Sequence, residues 1–143
     1  MSTAEGAVPL ARLLAIAYGD LIDQLHERLR ADGWSDVRPA YGFVLATRGG
    51  SQSVTALASR LEVSKQAASK LVEAMVASGY LAYVADHGDS RVKGVELSAR
   101  GHELLTAVEA IYVELEAGWA ELIGVRAVEA MRRHLTTVVR ARH

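Results

Sequence analysis

Apolar residues recur every three to four positions near the start of the chain and predict a long amphipathic helix. This helix ends near Asp32-Gly33. A second helix is predicted from about Val37 to Thr47, stopped by Gly49-Gly50. The apolar positions of the first helix are Leu10, Leu13, Leu14, Ala17, Leu21, Leu25 and Leu29.

The middle of the chain predicts two short helices followed by a β-ribbon. The first covers residues 53–61, and Ser64 is a good N-cap for the second, from Lys65 to Ser78. Gly79 suits the position after a helix C-terminus, where a left-handed conformation is common. Residues 80–84 and 92–97 are typical of strands, so we expect a two-stranded ribbon over residues 80–97 with a polar tip.

Two further helices are predicted beyond the ribbon. Ser98 caps the first, which runs from about Ala99 towards Gly118 or beyond, and Gly124 separates it from the last, about Arg126 to Arg140. The first and last helices of the chain are apolar on more than one face, which favours burial against a second copy. The alternative is that both are buried in the core of a single chain.

This order of elements indicates a mainly α fold with a small β-ribbon, a winged helix-turn-helix. The second helix of such a pair enters the DNA major groove, so its outer face must be polar. An arginine near the tip of the ribbon suits the minor groove, with a neighbouring aspartate bracing it. The candidate DNA-binding residues are Ser64, Lys65, Gln66, Ser69, Lys70, Asp89 and Arg91, with Arg48 and Arg60 as weaker phosphate contacts. The alternative is an ordinary helix pair with a solvated polar face.

Composition narrows the classes of function. The 143 residues are 50% hydrophobic, carry a formal net charge of −1 and include no cysteine, which excludes disulfides and cysteine-ligated metals. We find no signal peptide and no membrane-spanning stretch, so a cytoplasmic location is expected. The histidines lack metal-ligand spacing, and no nucleophile or phosphate-binding motif is present. We therefore expect neither a metal, nor a cofactor, nor an enzyme.

Residues 53–101 resemble the DNA-binding core of the MarR (multiple-antibiotic-resistance regulator) family of bacterial transcription factors. The resemblance lies in Leu57-Ala58, in the run 64–72, in Gly79-Tyr80-Leu81, and in Asp86, Asp89-Ser90-Arg91, Lys93, Val95, Leu97-Ser98 and Gly101. It implies one domain over residues 1–143, in which residues of about 8–32 and 99–143 form a homodimer and residues of about 37–98 form the DNA-binding lobe. It also implies a repressor on a pseudo-palindromic operator.

Many members of this family bind small phenolic or aromatic acids between the dimer helices and the winged lobe. By this resemblance the candidate ligand-binding residues are Tyr18, Trp34, Tyr41, Phe43 and Tyr112; the alternative is that they are core or interface aromatics. The chain departs from the family in having His87 after the first wing aspartate and in a weakly basic lobe. The weak basicity leaves a second reading open, a winged-helix module that binds a protein partner without specific DNA binding.

Overall fold

The computed structural model describes residues 6–47, 50–86 and 89–143, and the side chains of residues 86–93 lie outside this description. The helices are α1 (Leu10–Ala31), α2 (Tyr41–Leu45), α3 (Val54–Leu61), α4 (Lys65–Ala77), α5 (Ala99–Ile123) and α6 (Val125–Arg142). The strands are β1 (Gln52–Ser53), β2 (Leu81–Asp86) and β3 (Asp89–Leu97). The predicted mainly α fold, with a helix pair followed by a ribbon, is confirmed.

The second helix is much shorter than predicted. The expectation of a helix from Val37 to Thr47 was wrong, because α2 covers only Tyr41–Leu45. The amides of Tyr41 and Gly42 donate to the carbonyl oxygens of Arg38 and Pro39 over 2.9 and 3.1 Å, which are turn contacts that precede the helix. Proline disfavours helical geometry in the residue before it, so the helical pattern cannot continue back through Pro39 to Val37.

The sheet has three strands rather than the predicted two. All pair antiparallel in the order β1-β3-β2, and the two residues of β1, Gln52 and Ser53, lie opposite Val95 and Gly94. The ribbon prediction missed β1 because two residues are too few to show an alternating pattern. A Cβ at Gly94 would lie 3.2 Å from the Ser51 hydroxyl oxygen, so glycine allows the close approach of β1.

Two compact units are present, one reaching Val108 and the other formed by Glu109–His143. The first unit has its core around the helix pair and the sheet. Its most fully buried side chains are Leu29, Tyr41, Leu57, Val72, Met75, Tyr80, Val95 and Leu104. The helix pair is thereby fixed on its inner side, and its outer side stays in solvent.

The second unit holds the end of α5 and the whole of α6. Gly124, with φ of 95°, lies between these two helices in a backbone conformation that favours glycine. Arg132 on α6 forms an ion pair with Glu116 on α5 and a second one, at 3.5 Å, with Glu129. The hydrogen bond and the charge of Glu116 raise the pKa of Arg132.

Among the described residues, every helix is either too short or too polar to traverse a lipid bilayer.

Candidate nucleic-acid interface

Helix α4 carries most of the predicted DNA-binding residues. Its N-cap is Ser64, as predicted, and the Ser64 hydroxyl accepts a hydrogen bond from the Ala67 amide over 3.0 Å. This cap satisfies one of the free amides at the helix start, and it holds the leading end of the helix in a defined geometry. The helix ends as predicted too, with Gly79 beyond it at φ of 85°.

The two sides of α4 differ in burial. The inner side is anchored by Ala68, Val72 and Met75, which are all buried. Four of the predicted recognition residues are exposed, and the fifth, Ser69, is half-buried. The exposed four are Ser64, Lys65, Gln66 and Lys70. The structure therefore offers two ammonium groups, an amide and a hydroxyl on the first two turns of one solvent-facing helix.

The turn before α4 is fixed by the backbone of Glu62. This residue adopts the left-handed conformation, with φ of 57° and ψ of 42°, and its amide donates to Ser59 while the Val63 amide donates to Ala58. Left-handed geometry ends α3 sharply, so that α4 can begin three residues later. Sequence reasoning located a break here without finding this conformation, because glutamate is not a typical residue for it.

Helix α3 is tied to β1 by a chain of side-chain hydrogen bonds. The Arg60 guanidinium donates to the Gln52 side-chain oxygen over 3.2 Å, and the Gln52 amide donates to the Thr47 hydroxyl over 3.1 Å. Thr47 in turn donates to the Val44 carbonyl oxygen over 2.7 Å. Arg60, a weaker candidate for phosphate contact, is thus held in place at the exposed end of α3; Arg48 lies outside the described residues.

The predicted wing residues Asp89 and Arg91 belong to β3 by their backbone. Their side chains lie outside the described residues, as does the whole of His87. Strands β2 and β3 pair from Leu81 opposite Leu97 up to Ala85 opposite Lys93, and the register then shifts before Asp86. The ribbon that carries Arg91 is therefore present, and the role of Arg91 and Asp89 stays a prediction.

The predicted ligand-binding aromatics differ in burial and in their neighbours, and their role stays a prediction. Within the first unit, Trp34 and Tyr41 both pack on Tyr80, each with ring centroids 6.1 Å apart, whereas Tyr18 on α1 is 55% exposed. Phe43 is also exposed and lines a groove beside α4. Tyr112 belongs to the second unit and is half-buried. Trp34 and Tyr41 thus share one aromatic cluster that does not include Tyr18 or Phe43.

That cluster contains a polar network which the sequence analysis missed. The Tyr80 hydroxyl donates to the Asp36 carboxylate and accepts from Arg100 over 3.3 Å. The Arg100 guanidinium lies 5.1 Å from the Trp34 ring centroid and 5.0 Å from that of Tyr80. Burial, and then the hydrogen bond to Asp36, raise the pKa of Tyr80 to about 12. No local motif signals this network, because its members are far apart in sequence.

His26 is the one histidine buried among the described residues. Burial is the main cause that lowers its pKa, and the nearby Arg30 adds to the effect. In the part of the chain that the structure describes, no three histidine or acidic side chains are grouped closely enough to hold a metal ion.

A helix-turn-helix braced by a short strand and followed by a two-stranded wing defines the class of winged-helix proteins. Residues 43–92 match a family model described as the MarR family. This match confirms the resemblance that the sequence predicted, over the segment that contains α3, α4 and most of the wing. The MarR family is a family of DNA-binding transcriptional regulators.

Solved structures extend the likeness of fold to nearly the whole chain. The YusO protein from Bacillus subtilis is 20% identical, with 99% of both chains covered and a TM-score of 0.71. Wild-type MarR from E. coli is 18% identical, with 92% of this chain and 97% of that chain covered and a TM-score of 0.73. A mutant of MepR from S. aureus, bound to an oligodeoxyribonucleotide, is 17% identical, with 96% of this chain and 100% of that chain covered and a TM-score of 0.59. No curated protein sequence matches the chain.

Proposed function

We propose that this protein is a homodimeric, sequence-specific DNA-binding repressor that acts in the cytoplasm and catalyses no reaction. One observation carries the proposal: the capped helix α4 exposes Ser64, Lys65, Gln66 and Lys70 while its opposite side is anchored in the core. Lysine ammonium groups bind phosphates, and glutamine can pair with the edge of adenine in the major groove. The DNA-bound MepR mutant, of the same fold, supports this reading.

The proposed roles are divided along α4 and the wing. Lys65, Lys70 and Ser64 would contact phosphates or base edges at the leading end of the helix, with Gln66 and Ser69 reading bases. Arg91 would enter the minor groove beside it, braced by Asp89. Arg60, which donates a hydrogen bond to Gln52, would add a phosphate contact. Such a division matches the way phosphate contacts orient a protein on DNA and base contacts specify its sequence.

The exposed apolar faces of α1 and α6 support a homodimer. Helix α1 leaves Leu10, Leu13, Leu14 and Ile16 exposed, although Leu25 and Leu29 are buried. Helix α6 leaves Val125, Met131, Leu135, Val138 and Val139 exposed. Apolar patches of this kind are typical of interfaces. We propose that residues of about 8–32 and 99–143 supply the dimer interface and that residues of about 37–98 form the DNA-binding lobe.

A dimer of this kind predicts the arrangement of its operator. Two copies of α4 related by a two-fold axis would enter successive major grooves, with half-sites about 34 Å apart. A small aromatic or phenolic acid would release the protein from this operator. The aromatic residues Tyr18, Trp34, Tyr41, Phe43 and Tyr112 are the candidates for its binding.

The test starts from duplexes enriched on the full-length chain from a random-sequence library. Fluorescence anisotropy then compares an enriched duplex with a scrambled one at several salt concentrations. We expect a symmetric enriched sequence, selective binding and a steep fall in affinity with the logarithm of salt concentration. Failure to enrich any sequence, with equally weak binding of both duplexes, would contradict the proposal and favour a module that binds a protein partner.

A further inference from the structure

The side chain of Arg100 lies where three helices of the first unit end or begin. The Trp34 amide donates to the Leu29 carbonyl oxygen over 2.8 Å, which fixes Trp34 to the end of α1. The Tyr80 amide donates to the Met75 carbonyl oxygen over 2.8 Å, which fixes Tyr80 to the end of α4. Arg100 itself belongs to the first turn of α5. One side chain is therefore placed to link α1, α4 and α5.

Arg100 contacts the residues at both helix ends. Its aliphatic stem passes the C-terminus of α4, since a Cβ added to Gly79 would lie 3.5 Å from the Arg100 Cδ. Its guanidinium lies over the rings of both Trp34 and Tyr80 and donates to the Tyr80 hydroxyl. Asp36 accepts a hydrogen bond from the same hydroxyl and forms an ion pair with Arg100 at 3.8 Å. We call Trp34, Asp36, Tyr80 and Arg100 the Arg100 network.

The charged part of this network is half-exposed, whereas the core beside it is not. The side chains of Asp36 and Arg100 are 45% and 48% exposed. Ion pairs that are this accessible to water contribute little to protein stability. By contrast, Leu29, Tyr41 and Leu57 are almost fully buried. We therefore expect that loss of the Arg100 guanidinium leaves the helices folded and removes a link between them.

A small rotation at the network has a large effect at the start of α4. This helix has 13 residues and is about 20 Å long at the usual rise per residue. The network lies at its C-terminal end, and the predicted DNA contacts Ser64 and Lys65 lie at its other end. A rotation of about 10° about the network displaces those contacts by about 3.5 Å, which is about one base pair. In a dimer, such rotations change the spacing of the two recognition helices.

We propose that Arg100 is a positioning residue for DNA recognition, which holds the winged lobe at one angle to α1 and thereby sets the half-site spacing that the protein selects. The inference rests on the proposed function, because spacing concerns only a dimer with two DNA-binding lobes. Arg100 contacts no DNA in this arrangement and acts through Asp36, Trp34 and Tyr80. The sequence within a half-site is read by α4 and the wing, and the spacing is set by the Arg100 network.

The first measurement uses no DNA and takes advantage of the absence of cysteine from the sequence. Glu73→Cys places one nitroxide spin label at an exposed position of α4, so pulsed dipolar EPR measures the distance between the two lobes of a dimer. We expect a narrow distance distribution in the labelled parent and one about twice as wide in Arg100→Gln and Asp36→Ala. Asp32→Ala, the same substitution at an exposed position of the same connection, is the matched control and should keep the parental width.

The second measurement compares duplexes that carry two enriched half-sites at different spacings. Anisotropy is measured at the preferred spacing, with one or two base pairs added or removed, and on a duplex with a single half-site. We expect the parent to lose about tenfold or more in affinity at altered spacings, and Arg100→Gln to lose about threefold or less. Affinity for the single half-site should be equal in both. Arg100→Lys keeps a cation over the two rings and should retain most of the spacing preference.

A parental spacing profile or a parental distance distribution in Arg100→Gln would overturn the proposal. An equal loss of affinity on every duplex, including the single half-site, would also overturn it, because it would show a structural role only. Circular dichroism verifies the helix content of each variant. If Arg100→Gln loses helix content, Asp36→Ala, which leaves Arg100 over both rings, decides instead.

The two measurements distinguish failure of this inference from failure of the proposed function. If no duplex is enriched on the parent while the distance distribution broadens in the network variants, DNA binding falls and the positioning role of Arg100 stands. If the parent binds an enriched duplex and the network variants keep its spacing preference, the proposed function stands and the positioning role falls. A labelled parent that shows no intermolecular distance would refute the homodimer and overturn this inference with it.

Discussion

The carbonyl oxygen of Tyr80 lies so close to Gly101 that a Cβ added to this glycine would be 2.1 Å from it. The same oxygen accepts a hydrogen bond from the Ser98 amide over 3.0 Å. The Ser98 hydroxyl accepts from the Gly101 amide over 3.0 Å and donates to the carbonyl oxygen of Gly79. The first turn of α5 is thus held against the segment that follows α4, which fixes the end of α4 relative to the start of α5.

We expect Gly101→Ala to destabilise the protein by about 1–3 kcal/mol or more, because the added methyl group must displace backbone rather than a flexible side chain. Denaturant unfolding followed by circular dichroism measures this loss. Gly118→Ala is the matched control in the same helix: a Cβ at Gly118 meets nothing within 4 Å. That variant should gain up to about 1 kcal/mol from helix propensity. Similar losses of stability in both variants would show that the close contact between Gly101 and Tyr80 is not the cause.

Two substitutions at the N-cap of α4 distinguish its effect on protein stability from its effect on DNA affinity. Ser64→Ala removes the acceptor of the Ala67 amide and should cost about 1 kcal/mol of stability. Ser64→Asp keeps a good N-cap, so its stability should match that of the parent, but it places a negative charge where DNA phosphates are proposed to lie. We expect Ser64→Asp to bind DNA more weakly than Ser64→Ala, as measured by anisotropy on folded protein. The opposite order would remove the start of α4 from the interface.

Patterns that extend over several residues predicted most of the fold. The caps of α4 and α5 were assigned to Ser64 and Ser98, and both hydroxyls accept the expected backbone amides. By contrast, β1 is only two residues long and exists because β3 offers Gly94 as a partner. Pairing of this kind depends on contacts distant in sequence, so local periodicity cannot reveal it.

Local patterns predicted the candidate site only as far as one face of α4. The exposed face of α4 follows from helical spacing alone, so Lys65, Gln66 and Lys70 could be placed on one side of it. The aromatic cluster could not be predicted, because Trp34, Tyr80 and Arg100 are brought together by tertiary packing. The grouping of five aromatics into a ligand-binding set had no comparable local basis, and it stays a prediction.

The salt dependence of DNA binding should identify the phosphate contacts on α4. Replacing Lys65 with glutamine removes one cation, so the slope of log affinity against log salt concentration should fall by about 0.9. Glu73→Gln changes the net charge by one unit in the opposite direction on the same helix, further from its leading end, and should leave the slope unchanged. Anisotropy titrations at four or more salt concentrations give both slopes. An unchanged slope in Lys65→Gln would show that Lys65 contacts no phosphate.

The wing is expected to act through Arg91. We predict that Arg91→Ala weakens operator binding by about 1–3 kcal/mol, as for loss of a groove-reading arginine. The dimer should stay intact, because the proposed interface lies on α1 and the C-terminal helices. Anisotropy and sedimentation on the same preparation check both expectations. Operator affinity equal to that of the parent would exclude Arg91 from the interface.

The network around Tyr80 predicts how stability changes at alkaline pH. The pKa of Tyr80 rises from 10.0 to about 12 in the folded protein, because burial and the hydrogen bond to Asp36 favour the neutral phenol. The unfolded chain therefore releases this proton first, and the free energy of unfolding should fall as the pH rises from about 10 to about 12. Tyr80→Phe lacks this contribution, so parent and variant should converge over that range and run parallel below it. Denaturant unfolding at closely spaced pH values measures the difference between them, which cancels the titration of the other groups. Curves that stay parallel up to pH 12 would show that folding does not shift the Tyr80 pKa.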